Sequence, residues 1–173
     1  IYKIPIELNK QKVDDIVVRK LKLNCKKDPK LNDWKRVIKE DLDPKDFVKV
    51  SMVGKYTELA DAYKSLNEAL KHGGLKNNLK VEINYVDSEK LDSKNVHKYL
   101  KDSDAILVPG GFGERGIEGM IASVRYARLK SIPYLGICLG MQIAVIEFAR
   151  NVTKLKRANS TEFDAQTKYP VVG

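Results

Sequence analysis

Apolar and polar positions follow two rhythms along this chain, and the switches between them outline its fold. Phe47-Val48-Lys49-Val50-Ser51-Met52-Val53 is rich in β-branched residues and closes on Gly54, which predicts a strand. Leu59, Ala62, Tyr63, Leu66, Ala69 and Leu70 then recur at helical spacing, with Gly73-Gly74 placed to end the helix. Leu79, Val81, Ile83 and Tyr85 alternate as a second strand. A short helix is expected over 95–101, with Ser93 as its cap. Ala105-Ile106-Leu107-Val108 is an uninterrupted apolar run of the kind buried on both faces. A helix over 117–129, a strand over 132–137 and a helix over 139–150 complete the pattern. Strands alternating with helices imply right-handed βαβ units and a parallel sheet in a roughly doubly wound order.

Residues 1–46 differ from this. They are dense in Lys and Asp, and hold the only Trp, Trp34, in a helix-like stretch over 31–40. Asp43-Pro44 then breaks the chain, because proline disfavours helix at the residue before it. This part reads as the tail of something larger followed by a linker, and 47–173 as a separate region. Ile1 stands where a Met would open a chain, and Gly173 follows directly on the strand-like Pro170-Val171-Val172, so the sequence reads as cut at both ends.

Composition narrows the class. A hydrophobic share of 43% and a charged share of 32% are those of a globular chain. The longest apolar runs fall far short of the roughly 18 residues that span a bilayer, and no signal sequence opens the chain. No membrane partner is expected. Net charge is +9, yet only seven of the 32 basic residues are Arg, the better bidentate reader of bases and phosphates. The Lys are scattered among Asp and Glu without a basic block, so no nucleic-acid partner is expected either. The two cysteines, Cys25 and Cys138, match no metal spacing, no metal site is expected, and a reduced cytoplasmic setting is the default. Cys25, without a nearby glycine, reads as a small, partly buried side chain.

Cys138 is different. Gly136-Ile137-Cys138-Leu139-Gly140 has the form of a nucleophile elbow, with Cys in place of Ser. The chain must leave a strand and enter a helix within a few residues, so side chains two places before and after the nucleophile would collide. A thiol at a helix N-terminus feels the positive end of the dipole, which favours the thiolate. The N–H of Leu139 is free to point at a developing oxyanion. A second glycine-rich segment, Pro109-Gly110-Gly111-Phe112-Gly113, leaves the preceding strand and could supply another donor. On the plainest reading Cys138 is an inert core cysteine and the second loop an ordinary βα turn. A phosphate loop fits poorly, since no Lys-Ser/Thr pair follows and the dinucleotide glycine spacing is not met.

Together these residues resemble the CTP synthase family, in its class I glutamine amidotransferase domain. The resemblance rests on Val53-Gly54-Lys55-Tyr56, Asp61-Ala62-Tyr63-Lys64-Ser65, Glu68 to Gly74, Val108 to Gly113 with Arg115-Gly116, Pro133 to Gln142, and Asn159-Ser160-Thr161-Glu162-Phe163. It implies an α/β fold with an open parallel sheet and flavodoxin-like layering, here incomplete. Residues 1–46 would be the tail of the synthetase (amidoligase) domain and the interdomain linker, and 47–173 the N-terminal part of the amidotransferase domain. The family makes CTP from UTP with ATP, magnesium and ammonia released from glutamine, activated by GTP. The resemblance implies no cofactor in this part. Its partners would be glutamine and the remainder of the polypeptide, in a homotetramer when intact.

Carried over by position, Cys138 would attack the glutamine carboxamide to give a glutamyl thioester. Gly111 and Leu139 would supply the oxyanion N–H donors, with Gly110 standing beside Gly111 as the alternative. Gly111, Phe112, Leu139, Gly140, Met141 and Gln142 would line the glutamine pocket. Glu162 would meet the α-ammonium; without the resemblance it reads as a solvated loop carboxylate. The family pairs its nucleophile with a His and a Glu that neither His72 nor His97 matches. His72 reads as a dipole partner at a helix C-terminus and His97 as an exposed helical residue. The resemblance therefore implies that these residues alone hydrolyse glutamine weakly or not at all. Two other readings stand beside it. A cysteine hydrolase sharing the elbow would need a His soon after Cys138, and none follows. A non-catalytic binding or regulatory fragment would use the sheet only as a scaffold.

Overall fold

Three short helices open the chain: α1 (Ile4–Lys10), α2 (Val13–Lys20) and α3 (Asn32–Leu42). The computed structural model describes residues 1–25, 28–55 and 62–173. The expected helical position Leu59, and Tyr56 and Asp61 of the family pattern, lie outside the described residues. The first two helices were not expected from the apolar pattern. Their charges provide the signal instead: α2 carries Asp14 and Asp15 in its first turn and Arg19 and Lys20 in its last, as the helix dipole favours. Pro5 opens α1, where its missing N–H costs nothing. Cys25 is exposed rather than partly buried, because it lies in irregular chain after α2.

Next come β1 (Asp46–Gly54), α4 (Lys64–Lys76), β2 (Leu79–Asp87), a single 3₁₀ turn over Ser88–Lys90, and α5 (Val96–Leu100). They are followed by β3 (Ala105–Val108), α6 (Ile117–Lys130), β4 (Tyr134–Gly136), α7 (Leu139–Asn151), β5 (Ala158–Ser160) and β6 (Tyr169–Val172). The chain divides into two compact units, Ile1–Phe47 with Lys71–Lys80, and Val48–Leu70 with Val81–Gly173.

Three boundaries differ from expectation. Gly73-Gly74 does not end α4, which runs on to Lys76. The closing role falls to Asn78, whose φ of 57° is left-handed and whose N–H donates to Leu75 O, while Asn77 Nδ2 donates to Gly73 O. Ser93 does not cap α5. The N-cap position falls to Asn95, with no side-chain bond, while the Asp92 carboxylate accepts the N–H groups of Lys94 and Asn95 at 2.7 and 2.8 Å in the turn that precedes the helix. The strand expected over 132–137 shortens to β4, and Ile132 N–H is drawn back to Ala127 O at the end of α6.

The larger sheet has the order β2-β1-β3-β4, with β3 parallel to both β1 and β4. Its pleat sends alternate residues to opposite faces. Val53, Ile106 and Val108 join Leu100, Met120, Ile121, Ile143 and Ile146 in one core beneath α5, α6 and α7. Val50, Met52 and Leu107 face the other way, with Tyr63 and with Leu66 and Leu70 one turn apart on α4. An α/β fold with a parallel sheet covered on both faces results, as the patterning predicted. Strands β5 and β6 form a separate parallel pair; only β6 was foreseen, in Pro170-Val171-Val172. Among the described residues no helix is long and apolar enough to cross a membrane.

Candidate active site at the cysteine elbow

In parallel sheets of this kind functional groups collect where strands end at their carboxyl edge. Here β3 and β4 end side by side, with Val108 and Gly136 as register partners. The glycine loop after β3 and the elbow after β4 therefore leave from neighbouring points. Ile137 N–H donates to Val108 O at 3.0 Å and carries the pairing one residue past the strand.

The turn that follows admits no side chain at either glycine. A Cβ on Gly140 would lie 2.1 Å from Val108 O, and one on Gly136 2.4 Å from the Gly140 carbonyl carbon. Cys138, between them, has φ 51° and ψ −105°, a region that residues with a Cβ rarely occupy. Its side chain is exposed. Its carbonyl accepts from Met141 and Gln142, so the helix begins immediately behind the thiol. Leu139 is the first residue of α7, and its N–H has no helical partner to donate to.

The glycine loop presses against this elbow. A Cβ on Gly110 would stand 3.7 Å from Cys138 Cβ, and one on Gly111 3.1 Å from Leu139 Cδ2. Both glycines thus face the elbow, Gly110 towards the cysteine and Gly111 towards the residue after it. Phe112 and Met141 extend into solvent, 80% and 57% exposed. Gln142, one turn beyond Cys138 on α7, holds a buried Oε1 with no hydrogen-bond partner.

Glu162 reaches this place from beyond β5. Its Oε1 accepts the Gly113 N–H at 3.1 Å, so it is a carboxylate at the end of the glycine loop and not one merely in solvent. Lys55 arrives from the end of β1. It is 7% exposed, and its Nζ donates to Phe112 O at 2.7 Å and to Gly113 O. Burial lowers its pKa, Arg115 lowers it further, and Glu162 and Glu89 pull the other way.

The two histidines have partners of their own. His97 pairs with the Tyr126 hydroxyl at 3.1 Å, between α5 and α6. His72 meets the Tyr2 ring at 5.8 Å. Among the described residues no three His, Cys, Asp or Glu side chains converge as metal ligands would.

A cysteine strained at a strand-to-helix turn, faced by a second glycine loop, is the arrangement of an acyl-transfer nucleophile. Residues 58–168 match the family model described as glutamine amidotransferase class-I. The chain belongs to the class I glutamine amidotransferase family. The fold of this amidotransferase chain is similar to that of the Trypanosoma brucei CTPS glutaminase domain with bound acivicin. The TM-score is 0.67, with 41% identity over 70% of this chain. The chain spans 48% of that structure's length. The resemblance drawn from the glycine loop, the elbow and the Asn159–Phe163 segment is upheld.

Two residues beside the elbow and its glycine loop were missed by sequence reasoning. Lys55 was visible only as part of a family pattern, although a Lys directly after the glycine closing a strand was a usable signal. Tyr134, whose hydroxyl donates to Gly140 O at 2.7 Å, was likewise visible only as part of a family pattern.

Proposed function

We propose that Cys138 is the nucleophile of a glutamine-hydrolysing site, and that the ammonia released serves the conversion of UTP to CTP. The observation that carries the first part is the Cys138 backbone at φ 51°, flanked by two glycines that tolerate no side chain and faced by Gly110. The thiolate adds to the carboxamide carbon, and the oxygen takes the negative charge opposite the N–H of Leu139 and that of Gly110 or Gly111. The C–N bond then breaks, the nitrogen leaves with an added proton as ammonia, and a glutamyl thioester remains. Water cleaves it to glutamate and restores the thiol. Phe112, Gly140, Met141 and Gln142 line the pocket, where the unpaired Gln142 Oε1 suits an N–H donor. Glu162 keeps one carboxylate oxygen on Gly113 and leaves the other for the substrate's α-ammonium.

The base that moves these protons is, in this reading, a His with its Glu on a segment packed against β4 and α7. An exposed apolar stripe of Met141, Val145 and Phe148 on α7, next to Leu135 on edge strand β4, supports it. The residues described here alone turn glutamine over slowly or not at all. ATP, GTP and UTP belong to the remainder of the reaction. The described side chains do not fit a magnesium site, and no step passes through one.

The test is covalent labelling. Acivicin is a glutamine analogue whose carbon–chlorine bond a thiolate displaces, forming the S–C bond and releasing chloride. Peptide mapping is expected to find one adduct, on Cys138, slowed by excess glutamine. Equal labelling of Cys25, also exposed, would overturn the reading in favour of a scaffold role.

A further inference from the structure

The loop that faces the elbow has little to hold it in place from within. Gly110, Gly111 and Gly113 carry no side chains, Gly113 has φ 71°, and the Phe112 side chain is in solvent. An oxyanion donor must nevertheless be held to within about half an ångström to act in a transition state. The loop is anchored from outside, by residues distant in sequence. Lys55 Nζ donates to both carbonyls at its far end, Phe112 O and Gly113 O. Glu162 accepts the N–H of Gly113. The Lys55 stem also runs along the loop, with Cδ 3.9 Å from where a Gly111 Cβ would lie, and Leu139 Cδ2 is 3.1 Å from the same point. Gly111 is thereby pressed between a lysine stem and the residue after the nucleophile.

We propose that Lys55 is a positioning residue for the oxyanion loop, with Glu162 as its counterpart: the buried ammonium fixes two loop carbonyls, the carboxylate fixes the amide between them, and the Gly110–Gly111 donors are thereby aimed at Cys138. The proposal rests on the reading of Cys138 as nucleophile. Lys55 Nζ is engaged with the two loop carbonyls. A point-like ammonium suits this role, because two carbonyls converge on one nitrogen and the planar guanidinium of Arg cannot reproduce that geometry on the same stem.

The experiment compares two reagents on the full chain. Acivicin needs an ordered pocket around Cys138; iodoacetamide needs only an accessible thiolate. In Lys55→Met the acivicin rate at Cys138 is expected to fall at least tenfold while the iodoacetamide rate stays within twofold. Lys55→Arg is expected to recover only part of the loss. Lys55→Gln is the second variant, read in the same way if Lys55→Met does not fold by thermal melting. An acivicin rate within twofold of the unmodified chain would overturn the positioning role and leave the nucleophile standing. Equal slowing of both reagents would overturn it too, because Lys55 would then support the elbow as a whole. If the unmodified chain takes no acivicin at Cys138, the nucleophile reading itself fails and the positioning role with it.

Discussion

The Tyr134 hydroxyl donates to the Gly140 carbonyl at 2.7 Å, so the strand that enters the elbow also holds the helix that leaves it. The two residues lie six apart, and the turn between them contains the strained Cys138. The elbow is therefore closed by a clasp from β4 to α7 as well as by its two glycines. Burial pushes the Tyr134 phenol well above its ordinary value.

Tyr134→Phe should lower stability by about 1 kcal/mol, the net worth of one such bond. A phenol whose folded pKa is raised contributes stability that is full below the unfolded pKa near 10 and is lost as pH rises beyond it. The unmodified chain should therefore lose stability steadily above about pH 10, and Tyr134→Phe should lose less. Urea unfolding across pH 8–11 measures both.

Cys138→Gly should gain roughly 1 kcal/mol, because glycine occupies φ 51°, ψ −105° without the strain a Cβ brings. Cys138→Ala should gain nothing, since alanine keeps the Cβ. Equal melting temperatures for the two variants would show that the elbow stores no strain at Cys138.

Glycine substitutions at two sites should act in opposite directions. Gly140→Ala would put a methyl 2.1 Å from Val108 O, a backbone atom that cannot move aside, and should cost several kcal/mol or prevent folding. Gly73 lies inside α4 with nothing within 4 Å of its missing Cβ, so Gly73→Ala should stabilise by about 0.5–1 kcal/mol. Circular-dichroism melts of the two variants decide the matter.

The helix carrying the elbow is tied to α6 by a two-pronged ion pair, Arg128 Nε and Nη2 on Glu147 at 3.0 and 2.7 Å. Glu147 is 1% exposed and Arg128 reaches water, its pKa raised by the hydrogen bond to that carboxylate. Arg128→Met strands a buried carboxylate and should cost about 3 kcal/mol, the lower end for a broken buried pair. The double variant Arg128→Met with Glu147→Leu should recover most of that. A double-mutant cycle by urea unfolding gives the coupling.

How far the sequence could be read depended on how local each constraint was. Cys138 between Gly136 and Gly140, and the apolar run of β3, are requirements of backbone geometry over a few residues, so they were legible. So was the alternation of strands and helices, because each element states its own periodicity. The end of α4 was misread because a glycine pair resembles a stop; only the structure shows a left-handed Asn78 doing that work. Ser93 was misread as a cap because the helix starts later, at Val96, after a turn that the Asp92 carboxylate holds.

By itself the sequence determined the sheet, the elbow, the candidate nucleophile and the family. The tertiary structure alone decided what holds the glycine loop, which glycine faces which residue of the elbow, and which carboxylate reaches Gly113. Lys55 and Phe112 lie 57 residues apart, and Gly113 and Glu162 lie 49 apart. No periodicity or turn rule spans such distances. Those contacts exist only because parallel strands end at one edge and bring their loops together there.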